Sequence, residues 1–119
     1  MTRQILLTIA LLLTLDTADA VRVIEQVEHP VELVLGDLTL PATADGDNIS
    51  FSECPTCGIS THRLTTATVY KVNRQTVAFA DFLRLVAEIR QKPDGNTRSF
   101  AGVFLDIASG RVTRVEVLE

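Results

Sequence analysis

Between positions 78 and 92 the apolar residues recur at spacings of three and four: Phe79, Phe82, Leu83, Val86 and then Ile89 or Arg90, with Arg84, Glu88 and Gln91 off that stripe. This is the period of one helix face, and it predicts a single amphipathic helix of about four turns. Pro93 cannot continue it, and Asp94-Gly95-Asn96 is turn chemistry. The segments around it are short, β-branched and closer to a period of two. Any fold for this chain must therefore set one helix among strands.

The strand signals come in order. Residues 21–28 are mixed and run into His29-Pro30, which suits an edge strand or a loose arm. Residues 31–35 are apolar, Gly36-Asp37 is a turn or bulge, and Leu38-Thr39-Leu40 resumes the pattern. The stretch PATADGDN is a loop by composition. Ile49, Phe51 and Glu53 alternate with Ser50 and Ser52. Residues 59–64 and the β-branched run TTATVYKV continue as one long strand up to a turn at Asn73-Arg74-Gln75. After the helix, residues 100–107 and 111–118 are two strands joined across Ala108-Ser109-Gly110, with glycine where a positive φ is needed. Five strands with the helix between the third and fourth is the element order of the OB-fold. The expected class is mainly β with one helix, as a small five-stranded OB-like barrel. The alternative is an open antiparallel sheet with one packed helix.

The chain opens differently. Arg3 precedes eleven residues, 5–15, that are apolar except for Thr8 and Thr14, and Ala18-Asp19-Ala20 is a small-x-small sequence. This is the pattern of a secretory signal peptide over residues 1–20, cleaved before Val21. The apolar run is about half the length a bilayer core needs, and Asp16 and Asp19 stand where an anchor would continue. No stable membrane anchor is therefore expected after cleavage. Residues 21–119 then make one β-rich domain, large enough for a single core. Export points to the periplasm or the exterior, where thiols pair.

Charge narrows the partners. The formal net charge is −4 over the chain, and Arg3 against Asp16 and Asp19 leaves −3 beyond position 20. A mildly acidic chain with no basic run does not recruit nucleic acid or an anionic membrane surface. The expected partner is an envelope protein or a small ligand.

The two cysteines, Cys54 and Cys57, lie in SECPTCGIS. Pro55 presets φ for a turn, and Gly58 can take the left-handed conformation that closes a four-residue loop. With residues 55–58 in that loop, Cys54 pairs with Ile59, Phe51 faces His62 and Ile49 faces Leu64. Apolar residues then fall on one face of a hairpin and polar ones on the other. A Cys54–Cys57 disulfide would staple the loop, worth about 2 kcal/mol in the chain-entropy model.

Two other readings stay open. A redox pair takes its low thiol pKa from a helix N-terminus, whereas GISTHRLTTATVYKV after Cys57 has no helical period. Haem attachment needs histidine where Gly58 stands. A zinc site could use Cys54, Cys57 and His62, with His29 as a fourth ligand.

Weaker candidates are Asp45, Asp47 and Glu53 as a calcium cluster, which lacks the spacing of a calcium loop, and the glycosylation sequon Asn48-Ile49-Ser50. The stripe of Phe79, Phe82, Leu83 and Val86 suits the core better than a partner's groove. No hydrolase, phosphate-loop or zinc-protease motif occurs, and no cofactor is called for.

The segments VYKVNRQTVAFADFL and FLDIASGRVTRVEVL resemble the strand-turn-helix and closing hairpin of small exported bacterial OB-like β-barrel domains. The resemblance covers roughly the last half of the chain. It implies architecture and compartment, leaves Cys-Pro-Thr-Cys outside, and does not carry over nucleic-acid binding, which needs a basic groove with exposed aromatics. The sequence thus predicts an exported, non-enzymatic binding or accessory module, or alternatively a thiol-disulfide or metal-handling protein.

Overall fold

The computed structural model describes residues 27–119. The expected leader and its cleavage point lie outside the described residues. No helix among those residues is long and apolar enough to cross a membrane.

The elements are β1 (Glu28–Val34), a 3-10 turn (Leu35–Asp37), β2 (Asn48–Phe51), β3 (Ser60–Arg63), β4 (Val69–Val72), β5 (Gln75–Val77), α1 (Phe79–Gln91), α2 (Gly95–Arg98), β6 (Phe100–Asp106) and β7 (Val112–Leu118). Five strands form one sheet in the order β1-β6-β7-β4-β5, and β2 pairs with β3 separately. Within the sheet β4 runs parallel to β7, and the other neighbours are antiparallel. The protein is therefore mainly β with one main helix and a mixed sheet. The sheet is open, with β1 and β5 at its edges, so the barrel closure expected from element order is not seen among the described residues. The open-sheet alternative is nearer, except that one of its pairings is parallel.

Alternation on the strands explains which face is buried. On β6 Ala101, Val103 and Leu105 are buried, while Phe100, Gly102, Phe104 and Asp106 are not. On β7 Val112, Val115 and Val117 point the same way, as do Val31 and Leu33 on β1 and Tyr70 and Val72 on β4. Two elements cover this face. Helix α1 contributes Phe82, Val86 and Ile89, and the β2–β3 hairpin contributes Ile49 and Phe51, all in one cluster with the sheet residues. The helical stripe faces the core, but Leu83 is only half-buried, at its rim with Phe79, and Phe82, Val86 and Ile89 form its centre. Tyr70 stacks on Phe79, with ring centroids 4.6 Å apart, and meets Phe82 in a tilted pair at 5.2 Å.

The edges are protected by chemistry legible in the sequence. Val27 O accepts from Ile107 N, and Leu35 N donates to Ser99 O. Odd-numbered β1 residues thus bond β6, and even-numbered ones face the free edge. Pro30 is among the latter, so the N–H it lacks is one that no ladder uses. The other edge, β5, is only three residues long.

Three local expectations are corrected. The long strand 59–72 is broken, because Thr65 and Thr68 build a turn: Thr68 Oγ1 accepts from Thr65 N at 2.9 Å and donates to Val112 O at 2.8 Å. Asn73-Arg74 is a hairpin turn with φ of 48° and 73°, joining β4 to β5 rather than leading straight into the helix. The stretch after Pro93 holds a short helix, α2, entered through Asp94 at φ 62°.

Candidate functional site

Cys54 and Cys57 are joined by a disulfide, with their Cα atoms 5.0 Å apart. The bond spans a β-turn in which Cys57 N donates to Cys54 O at 3.0 Å, with Pro55 and Thr56 at the corner. The Ser52 hydroxyl lies 2.6 Å from Cys54 O and 2.9 Å from Cys57 O, so one side chain binds both ends of the turn. This self-contained unit changes the hairpin from its expected form. The ladder ends at Phe51 and Ser60, with Ile49 opposite His62 and Ser50 opposite Thr61. The expected pairing of Ile49 with Leu64, and of Cys54 with Ile59, is displaced by two residues. A shift of two keeps every side chain on its face, so Ile49, Phe51 and Leu64 are still buried. Gly58 does not take the left-handed conformation expected of it. With eight residues between the strands, the connection has no need of that sharp closure.

The chain after Cys57 runs into β3 and not into a helix, so the pair does not open a helix of its own segment. His62 is turned elsewhere: its ring stacks on Phe51 with centroids 5.1 Å apart. Its Nδ1 lies 3.1 Å from Gly110 O and its Nε2 lies 3.1 Å from Ser60 Oγ. His29 pairs instead with Glu53, Nε2 to Oε1 at 3.2 Å. Asp47 lies 3.7 Å from Arg63. Among the described residues no group of three histidine, cysteine or acidic side chains gathers at one point. The sequon lies within β2, where Ser50 N and O bond Thr39 and Ser50 Oγ meets Thr61 Oγ1 at 2.9 Å.

Two perturbed groups belong to the framework. Burial lowers the Arg90 pKa; its guanidinium donates to Leu38 O at 2.7 Å and to Asn96 Oδ1 at 3.2 Å, tying helix to loop. Burial raises the Tyr70 phenol, and a hydrogen bond with Thr68 partly offsets this.

The sheet face turned away from α1 carries a cleft of about 300 Å³ on the outer sides of β1, β6 and β7. Gly102 lies at its middle, opposite Glu32 on β1 and Glu116 on β7. Phe100 and Phe104 flank Gly102 along β6. Phe100 is 50% exposed and Leu118 beside it is 40% exposed. The Arg114 guanidinium lies 3.9 Å from the Phe104 ring centroid, and its Nε is 3.0 Å from Glu116 Oε1. That Nε makes no aligned hydrogen bond, so the Arg114–Glu116 contact is an ion pair without the directional part. Comparison with protein-family models, curated proteins and solved structures found no match to this chain.

Proposed function

We propose that this chain is a small exported, non-enzymatic binding or accessory module, working in the periplasm or outside the cell, whose disulfide fixes the tip of a hairpin. The observation that carries the reading is the closure of the Cys54–Cys57 turn by Ser52 at the end of a β-ladder. A bond placed there constrains the chain and suits an oxidising compartment. The leader-like residues 1–20 and the resemblance of the last half of the chain to exported OB-like domains support the same compartment. The partner in this reading is an envelope protein or a small ligand.

A second reading, thiol-disulfide or metal handling through Cys54 and Cys57, draws on one observation: Cys57 is exposed, so a reductant can reach it. The test is direct. Protein recovered from the envelope fraction is sequenced from its N-terminus and weighed with and without alkylation. The proposal expects a start at Val21 and no alkylation until a reductant is added. A start at Met1 in cytoplasmic protein, or two thiols that alkylate at once, overturns it.

A further inference from the structure

We infer that the sheet face turned away from α1 packs against the same face of a second copy of this chain, about a two-fold axis that runs along the strands between β6 and β7; this goes beyond the binding-module reading and does not depend on it. Alternation along the strands sorts the outward side chains of this face into rows. One row reads Glu32, Gly102, Glu116 and Lys71 across β1, β6, β7 and β4. The row on one side of it holds Phe100 beside Leu118, which are 50% and 40% exposed. The row on the other side runs from Pro30 on β1 to Val69 on β4, both exposed.

The charges on the face are laid out unevenly. At its centre the edge of the Phe104 ring fills the space beside Gly102, 3.4 Å from where a Cβ would stand. Arg114 lies over the face of that ring and pairs with Glu116, so the centre holds no unmatched charge. The two unmatched charges are at the ends of the Glu32 row. Neither Glu32 nor Lys71 has an ion-pair partner among the described residues. Three strand spacings, about 14 Å, separate them, too far for a pair within one chain.

A half-turn about an axis along the strands keeps every row level and exchanges its ends. Glu32 then faces Lys71 of the second copy, and the pair occurs twice. Phe100 faces Leu118 of the second copy, and Pro30 faces its Val69. Aligned sheets cross at about 30°, which displaces the outer charges by about 4 Å, a distance the long glutamate and lysine side chains span. An unrelated partner would have to supply an acid and a base at this separation with apolar groups in the row beside them. This face carries that pattern itself, which is the requirement for an isologous contact. The face measures about 20 Å on each side. It buries less than the roughly 800 Å² per partner of a standard interface, so the dimer is weak and reversible, dissociating on the order of 100 µM.

The experiment is sedimentation equilibrium of the protein as recovered from its host, from about 10 µM to about 1 mM. A monomer–dimer equilibrium is expected. Glu32→Lys and Lys71→Glu should each weaken it about tenfold or more, because each sets like charges opposite one another twice. Phe100→Ser, which alters no charge, should weaken it about tenfold as well. An equimolar mixture of Glu32→Lys and Lys71→Glu should dimerise again, since every charge then meets its opposite across the axis, and so should the double variant. Monomer alone at every concentration overturns the inference. A dimer that keeps its affinity in all three single variants overturns it by placing the contact on another surface. Failure of both the mixture and the double variant to dimerise overturns it too.

Discussion

The His62 ring stacks on Phe51 across the β2–β3 ladder, with centroids 5.1 Å apart and 19° between their planes. This contact holds the hairpin's histidine against a core residue. Both of its nitrogens are within hydrogen-bond distance of oxygens, Gly110 O and Ser60 Oγ.

Replacing both cysteines, Cys54→Ser with Cys57→Ser, should lower stability by up to about 2 kcal/mol, the entropy term for so short a ring. The fold should survive, because Ile49, Phe51 and Leu64 still anchor the hairpin. Gly58→Ala should change stability by less than about 0.5 kcal/mol, since position 58 is not left-handed and has open space beside it. Urea denaturation of the three proteins checks both statements.

Phe82 is fully buried, and Phe82→Ala should cost about 3–5 kcal/mol through lost burial and the cavity left behind. Leu83 is only half-buried, so Leu83→Ala should cost less than Phe82→Ala. Arg84 is exposed and pairs with Asp81 at 3.7 Å and Glu88 at 3.3 Å; Arg84→Ala should cost under about 0.5 kcal/mol. Similar losses from Phe82→Ala and Arg84→Ala would mean the helix buries another face.

Arg74 holds φ 73° at the second corner of the β4–β5 turn, a conformation that costs a side-chain-bearing residue about 1 kcal/mol or more. Arg74→Gly creates the Asn-Gly pair that such hairpin turns prefer. It should raise the melting temperature by roughly 4–8 °C if about 1 kcal/mol is recovered. A fall in melting temperature would contradict the turn assignment.

Acid should loosen the closing hairpin. The Ser109 hydroxyl and backbone N–H donate to Asp106 Oδ2 at 2.6 and 3.1 Å, and together they hold the Asp106 pKa below its ordinary value. A hydrogen bond from Lys92 does the same for Glu119. A carboxyl group whose folded pKa is depressed contributes stability above its unfolded pKa, about 4, and loses it as pH falls through the folded value. Asp106→Asn should therefore flatten the acid limb of the stability profile and leave its slope between pH 6 and 8 unchanged. An acid limb identical to that of the unmodified protein would contradict this.

Much of the secondary structure was legible because it is local. The stripe from Phe79 to Ile89 repeats over enough residues to define a helix, and Ser109-Gly110 marks the β6–β7 turn, where Gly110 has φ 75°. Pairing at a distance was not legible. Nothing in VYKV indicates that β4 lies parallel to β7, yet that pairing is what makes the sheet mixed. Asn73-Arg74 lacks the glycine that announces a tight hairpin, so β5 went unseen. In the cysteine hairpin, faces were read correctly and register was not, because a slip of two residues leaves the alternation intact. The Gly102 cleft depends on three strands aligning Glu32, Gly102 and Glu116, an arrangement that no local pattern encodes.

The central claim is that Cys54 and Cys57 form a structural bond, and an equilibrium redox titration of the pair in defined thiol buffers tests it most directly. A structural staple should show a reduction potential below about −300 mV, out of reach of a glutathione pool. A potential near about −200 mV or higher would place the pair among working thiol-disulfide centres and contradict the account.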